Sequence, residues 1–215
     1  MGGESKRPGP DPKISRDDII EAALSIGFEK LTLTAIARRL GVSQNSLYHY
    51  VDDRADVVAA AMDHVVERMA WPPQSDDWRR QLGSIGTAFF DTMIDYPGLA
   101  RLVEQADHPP EFMQRRFGET HAHLMSLGFG SAEALLAMDV VYDLAIDSAA
   151  RSARLERHFA DPAKTAASWE HAPTVDIETA LALGASDRGA SWFRHKLQIA
   201  LSGIAAEIGP DRTTH

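Results

Sequence analysis

Cysteine is missing from the 215-residue sequence, and so are long apolar segments. Without cysteine, disulfides, thiolate zinc sites and cysteine nucleophiles are excluded, which is typical of proteins from a reducing cytoplasm. The longest uninterrupted apolar run, Val57–Met62, is far too short to cross a bilayer, which takes ~20 residues. The polar stretch Met1–Pro12 has no apolar core of a secretory signal. We therefore expect a cytoplasmic protein with no membrane partner.

The motifs of several common enzyme classes are absent as well. The sequence has no Gly-x-Ser-x-Gly, no glycine-rich phosphate loop with lysine and no His-Glu-x-x-His. His121 and His123 are too close in sequence for a helical metal pair, which needs histidines about four residues apart. We expect no enzymatic activity, no cofactor and no metal site.

Alternation of apolar and polar residues, which marks half-buried strands, is also lacking, and apolar residues recur at helical spacing instead. The sequence therefore predicts an all-α protein. Pro72 and Pro73 mark a boundary because proline cannot continue a helix. We expect a flexible arm at 1–13, a small helical domain at 14–71, a larger helical domain at 72–209 and a tail at 210–215. In the larger domain, helices are predicted at 77–95, 98–106, 109–127, 131–159 and 187–208, with a loop at 161–173 and an ambiguous segment at 174–185.

Capping residues divide the domain at 14–71 into short helices. Ser15 followed by Asp18 is a capping-box pattern, and the apolar stripe behind it ends near Gly27. The later helices are predicted in the same way: Leu33–Leu40 between Thr32 and Gly41, Gln44–Tyr50 after Ser43, and a fourth helix from Asp53 toward Pro72.

The second and third of these helices, joined by a tight turn, form a helix-turn-helix pattern. Gly41 stands at the turn, where a positive φ favours glycine. The third helix would direct the polar side chains Gln44, Asn45 and Ser46 outward, where Gln and Asn can pair with base edges, most readily adenine. Tyr48 and His49 follow one turn later and can reach phosphate oxygens. The apolar residues predicted to close the core of this domain are Ile36, Leu40, Val42, Leu47 and Tyr50.

The stretch LTLTAIARRLGVSQNSLYHYVDDRADVV resembles the DNA-binding domain of the tetracycline-repressor (TetR) family, and the resemblance extends from Ile14 to Val66. It implies a DNA-binding regulator whose helix-turn-helix contacts duplex DNA. The family often has Lys at Arg54 and Phe at Tyr50, and Asp52 and Asp53 place two acids near the expected phosphates. The resemblance implies base contacts by Gln44, Asn45 and Ser46, phosphate contacts by Tyr48, His49 and Arg54, and a further contact by Thr34.

Net charge is −9, which is unusual for a DNA-binding protein because phosphate binding uses Lys and Arg. The charge is unevenly distributed. Residues 1–54 contain eight basic and eight acidic residues, whereas residues 55–215 contain 14 basic and 23 acidic ones. The charge therefore permits DNA binding by the N-terminal domain without indicating it.

The last two long helices of the larger domain are apolar on more than one face. By the resemblance, helices 131–159 and 187–208 pair with their copies in a homodimer, and we expect Ile204 in that interface; internal helices of a monomer are the alternative. Asp139, Asp143 and Asp147 repeat on one helix face and require cations or solvent. Their candidate partners are Arg151, for Asp147, and Arg188, Arg194 and Lys196 for the others.

The resemblance also implies a ligand cavity in the larger domain, lined by aromatic and methionine side chains that are otherwise ordinary core. We expect a small hydrophobic effector that releases a repressor from a palindromic operator; a constitutive DNA-binding regulator and a helical protein-binding adaptor are the alternatives. The candidate lining residues are Phe89, Phe90, Met93, Glu104, Phe112, Phe117, His121, Met125 and Tyr142.

Overall fold

The computed structural model describes residues 14–106, 111–159, 187 and 189–210. Within these ranges every regular element is a helix, which confirms the all-α prediction. The chain divides into two compact units, one that extends to Val65 and one that begins at Val66. We call them the head and the body. The predicted arm at 1–13, the loop at 161–173, the segment at 174–185 and nearly all of the tail at 210–215 lie outside the described residues.

Most helices begin and end within a few residues of the predicted positions. In the head, a short 3-10 turn at Phe28–Lys30 also follows the first helix. The helices are α1 Arg16–Ile26, α2 Leu33–Leu40, α3 Gln44–Leu47, α4 Arg54–Arg68, α5 Trp78–Asp95, α6 Leu99–Gln105, α7 Glu111–Ser126, α8 Ser131–Phe159 and α9 Ala190–Glu207.

The predicted capping residues of the head form the expected hydrogen bonds. The Ser15 hydroxyl accepts from the Asp18 amide while the Asp18 carboxylate accepts from the Ser15 amide, which completes a capping box. Thr32 and Ser43 accept amide hydrogens at the starts of α2 and α3. Gly41 has a φ of +70°, so the tight turn uses the left-handed conformation that favours glycine.

The third helix is shorter than predicted. It ends at Leu47, and the Leu47 carbonyl accepts hydrogen bonds from the amides of both Tyr50 and Val51, which closes a turn over residues 48–50. This turn rotates Tyr50 out of the predicted core, and 39% of its surface is exposed. Val51 is buried in its place. The prediction of Tyr50 as a core residue is therefore wrong.

The body core is built where α5 and α8 pack closely together. A Cβ added at Gly86 of α5 would lie 2.8 Å from the Val141 side chain of α8, so glycine allows this close approach. Phe90 of α5 stacks on Phe193 of α9 with ring centroids 4.3 Å apart. Aromatic rings thus fill the space between these three helices. None of the helices in the described part of the chain is long and apolar enough to span a membrane.

Candidate nucleic-acid interface and ligand site

The start of α3 presents the side chains that the sequence singled out for base contact. Gln44 and Asn45 are exposed, and Ser46 is half-buried beside the Ser43 cap, with the two hydroxyl oxygens 2.9 Å apart. One turn later, Leu47 is completely buried and anchors the helix. We call Gln44, Asn45 and Ser46 the recognition surface. A helix anchored on one side with exposed amide side chains on the other can present those amides to base edges.

Thr34 of α2 and Tyr48 of the turn after α3 hold the Gln44 side chain in position. The Thr34 hydroxyl of α2 donates to Gln44 Oε1 over 3.1 Å, and Gln44 Nε2 donates to the Tyr48 hydroxyl over 3.4 Å. All three residues are exposed. The structure therefore brings Thr34 to the recognition surface, where its hydroxyl contacts Gln44.

The predicted phosphate-contact residues lie at the C-terminal side of α3 and the start of α4. Tyr48 and His49 are exposed in the turn that follows α3. Arg54 is held more firmly, because its Nε donates to the Leu31 carbonyl over 2.9 Å. This bond links α4 to the segment before α2 and fixes the stem of the Arg54 side chain.

An ion pair that the sequence did not indicate connects α1, the turn after α3 and α4. Arg16 binds Asp56 through two nitrogens, at 2.6 and 3.1 Å, and also donates to the Tyr50 carbonyl over 2.8 Å. Asp56 in turn accepts from the Asp52 amide. The hydrogen bond from Arg16, opposed by burial, lowers the pKa of Asp56. The two residues are too far apart in sequence for any local pattern to reveal the pair.

The residues predicted to line a ligand cavity are spread over core and surface. Phe89, Phe90, Met93 and Tyr142 are buried, and the Phe89 and Tyr142 rings meet edge to face with centroids 4.8 Å apart. Burial raises the pKa of Tyr142 to about 12, with a hydrogen bond to Thr120 acting in the opposite direction. The remaining predicted residues are Phe112, Phe117 and His121, which are half-buried, and Glu104 and Met125, which are exposed.

A small polar cavity of about 40 Å³ lies elsewhere in the body. Buried Gln81 accepts from the Ser75 amide over 2.7 Å, and His123 donates to the Ser75 carbonyl over 2.9 Å. Four of the lining residues lie at i, i+3, i+4 and i+7 on α7, a polar face that the sequence could have revealed. The lining residues are Trp71, Pro72, Gln74, Gln81, Ile85, Arg116, Glu119, Thr120 and His123.

Trp71 connects this cavity to the end of α4. Its indole nitrogen donates to the Val66 carbonyl, in the last turn of α4, over 2.8 Å. Its ring lies beneath the Arg116 guanidinium, 5.3 Å from the ring centroid, and Arg116 also pairs with Glu119. A change in the side chains that line the cavity would therefore act directly on Trp71, which is hydrogen-bonded to α4.

The body leaves an apolar surface uncovered on α8 and α9. The large apolar side chains of this surface are exposed to different degrees, and Ile199 is the most exposed of them at 73%. Ile204, which the sequence analysis placed in a dimer interface, is instead buried against the body core, so that expectation is wrong. We call this surface the open face, and its large residues are Leu135, Leu136, Val140, Trp192 and Ile199.

Charged residues accompany the open face. Asp147 pairs with Arg151 over 2.9 Å as expected, but Arg194 pairs with Asp187 rather than with an aspartate of α8. Lys196 donates to Ser148 over 3.4 Å. Burial, reinforced by the charge of Asp139, raises the pKa of Asp143. A shallow groove between α8 and α9 is lined by Val140, Asp143, Leu144, Asp147, Lys196, Ile199 and Ala200.

Comparison with known proteins places the chain in a family. Residues 19–61 match the family model described as bacterial regulatory proteins, tetR family. An HTH-type transcriptional regulator from Saccharopolyspora erythraea is 26% identical over 213 residues, which cover 95% of this chain and 90% of that protein. The class C tetracycline repressor protein from Escherichia coli is 30% identical over 133 residues, which cover 59% of this chain and 60% of the repressor.

Solved structures share the fold over nearly the whole chain. ActR from Streptomyces coelicolor in complex with actinorhodin has a TM-score of 0.70 at 18% identity, and the match covers 90% of this chain and 97% of ActR. At this identity the likeness shows the fold alone. With the family match over the helix-turn-helix and relatives aligned over most of the chain, the protein belongs to the TetR family of bacterial regulatory proteins.

Proposed function

We propose that the protein is a transcriptional repressor that binds a palindromic DNA operator as a homodimer, in the cytoplasm, and is released by a small-molecule effector. The recognition surface is the observation that carries this proposal. Exposed Gln44 and Asn45 stand on a helix that buried Leu47 anchors, and amide side chains in that setting contact base edges in the major groove. The tetracycline repressor among the relatives supports a repressor in particular.

Operator selection from random duplexes, followed by titration, tests DNA recognition. We expect Gln44→Ala or Asn45→Ala to cost about 1–3 kcal/mol of binding free energy on the selected operator and to relax the preference at one base pair of each half-site. His49→Ala, at an exposed position in the turn after α3, serves as a comparison, because loss of a phosphate contact weakens all sequences alike. If neither amide variant changes the selected sequence or the affinity, the recognition surface is assigned to the wrong residues.

The open face supports the homodimer. Exposed apolar side chains such as Ile199 and Trp192 are unfavourable in water, and a second copy that packs on α8 and α9 would cover them together with Leu135, Leu136 and Val140. A symmetric dimer buries the same surface of both copies and places two recognition surfaces on one duplex. The operator would then be a palindrome. The centres of its half-sites would be separated by at least one helical turn of DNA, which is about 34 Å.

The polar cavity beside Trp71 supports regulation by an effector. Gln81, Thr120 and His123 offer hydrogen-bonding groups, while the side chains of Trp71 and Ile85 provide apolar surface for the hydrophobic part of a ligand. The cavity is small, so an effector would have to displace a lining side chain. Trp71 is the side chain whose displacement has the clearest consequence, because it would break the bond to Val66 at the end of α4. Since α4 begins in the head, its displacement offers a route from ligand to DNA.

A thermal-shift screen followed by operator release tests this regulation. An effector that stabilises the protein must weaken operator binding, and by linkage the operator must weaken effector binding by the same factor. In Trp71→Phe, which keeps a ring but cannot donate to Val66, we expect the effector to bind and yet release the operator less completely. A ligand that stabilises the protein without affecting operator affinity contradicts the coupling. A screen that finds no ligand at all favours the alternative, a constitutive DNA-binding regulator.

A further inference from the structure

The contact between Thr34 and Gln44 joins two helices at the recognition surface, and it carries an inference about base specificity that rests on the proposed DNA recognition. Glutamine has three rotatable side-chain bonds, so an unrestrained Gln44 amide would sample many orientations in solvent. Here the Thr34 hydroxyl holds the carbonyl end and Tyr48 holds the amino end. The amide is therefore oriented before DNA arrives.

The two contacts leave one hydrogen-bonding group available at each end of the amide. A glutamine carbonyl accepts two hydrogen bonds and its amino group donates two. Thr34 uses one acceptor position and Tyr48 uses one hydrogen, so one acceptor position and one hydrogen are left for a base. That pair matches the N6 amino group and N7 of adenine, the bidentate partner of glutamine in the major groove.

We propose that Thr34 determines specificity through Gln44: its hydroxyl fixes the orientation of the Gln44 amide and thereby strengthens the preference for adenine at one position of each half-site. Thr34 is then a positioning residue for base recognition. Its effect is confined to the base pair that Gln44 contacts, whereas the loss of a phosphate contact would weaken binding to every sequence equally.

Threonine and valine have nearly the same shape, so Thr34→Val removes the hydroxyl with little change in packing at this exposed position of α2. We expect the wild-type preference for adenine at the Gln44 position to fall by about three- to tenfold, a part of the discrimination of a bidentate pair. Preferences at the other operator positions should not change. Thr34→Ser, which keeps a hydroxyl, should restore most of the preference.

A double-mutant cycle separates this role from a structural one. If Thr34 acts through Gln44, Thr34→Val should have no further effect on base preference in a Gln44→Ala background, because no amide is left to orient. Thr92→Val is the matched control, since it removes a body hydroxyl whose hydrogen bond stays within α5. It should leave base preference unchanged. Thermal melting of each variant confirms that the proteins compared are folded.

Several outcomes overturn the proposal. An unchanged base preference in Thr34→Val means that Gln44 releases Thr34 when DNA binds. A loss of affinity that is equal for all sequences means that Thr34 contacts phosphate directly. Both results leave the proposed DNA recognition standing, because the wild type still selects an operator. A wild-type protein that selects no sequence overturns the proposed function and this inference together.

Discussion

The head and the body use apolar surface in opposite ways. The head encloses aliphatic side chains and Phe28 between its capped helices, and it exposes polar and aromatic side chains at the recognition surface and the turn after it. The body encloses an aromatic core between α5, α8 and α9, and it also exposes large aliphatic side chains on α8 and α9. A partner for the head must therefore offer hydrogen bonds, and a partner for the body must offer apolar surface. These requirements match DNA for the head and a second copy of the chain for the body.

The sharpest test of this comparison places a charge on the open face. We expect Ile199→Glu to yield folded monomers, because its side chain is exposed in the single chain and the new carboxylate would be desolvated only in a dimer. Operator affinity should fall by about 100-fold or more, since a monomer loses the second half-site. Light scattering gives the oligomeric state, and titration of a palindromic duplex gives the affinity.

Two neighbouring positions make the result interpretable. Gln198→Glu adds the same charge at an exposed position beside Ile199 and should leave the dimer intact. Ile204→Glu buries the charge in the body core and should unfold the protein, at a cost of order 4 kcal/mol or more. A wild-type protein that is monomeric at micromolar concentration contradicts the dimer and leaves the open face for another partner.

The sequence predicted the head better than the body because the head is determined by local signals. Ser15, Thr32, Gly41 and Ser43 act on residues a few positions away, so their spacing defined the helices. The exception was Tyr50, where a turn closed on the Leu47 carbonyl replaced the last turn of the predicted helix.

Long-range contacts account for the other differences. Both faces of α9 are apolar, and only packing decides that Ile204 turns inward while Ile199 turns outward. The polar cavity joins the segment that begins at Trp71 with one face of α7, and no periodicity within either segment indicates that they meet. The ion pair of Arg16 with Asp56 likewise depends on the fold of the whole head.

A second test sets the buried tyrosine of the body against an exposed tyrosine of the head. Burial raises the pKa of Tyr142 from its ordinary value of 10.0 to about 12. Because the folded-state pKa is the higher one, the stability linked to Tyr142 is fully present below pH 10 and is lost as pH rises through 12. At 1.36 kcal/mol per pH unit, the loss amounts to about 2–3 kcal/mol.

Denaturant unfolding followed by circular dichroism measures this loss of stability. The measurements run from about pH 9 to about pH 12, because this range includes the ordinary tyrosine pKa of about 10. Tyr142→Phe should reduce the slope of stability against pH. Tyr48→Phe, at a tyrosine with half of its surface exposed, is the comparison variant. Equal slopes for wild type and Tyr142→Phe would mean that the Tyr142 hydroxyl reaches solvent in the folded body.

The smallest expected effect on stability concerns the ion pair of the head. Arg16 lowers the pKa of Asp56 from its ordinary value of 3.8, so the stabilisation is present above that value and is lost as pH falls through the lowered pKa. Both side chains are partly exposed, which limits the contribution to about 0.5–1 kcal/mol. Melting temperature measured between about pH 5 and pH 3 should fall less steeply in Asp56→Asn than in the wild type. Asp17→Asn, at an exposed position of α1, is the control for the removal of a carboxylate.

The same pair should matter more for DNA than for stability. Arg16 and Asp56 hold the Tyr50 carbonyl and the Asp52 amide, and these groups fix the turn that carries Tyr48 and His49. At neutral pH, where the head is folded, we expect Asp56→Asn to weaken binding to operator and random duplex by the same factor, about three- to tenfold, because phosphate contacts carry no sequence information. Titration of both duplexes at one salt concentration measures the two factors. A selective loss on the operator would show instead that the ion pair positions the recognition surface.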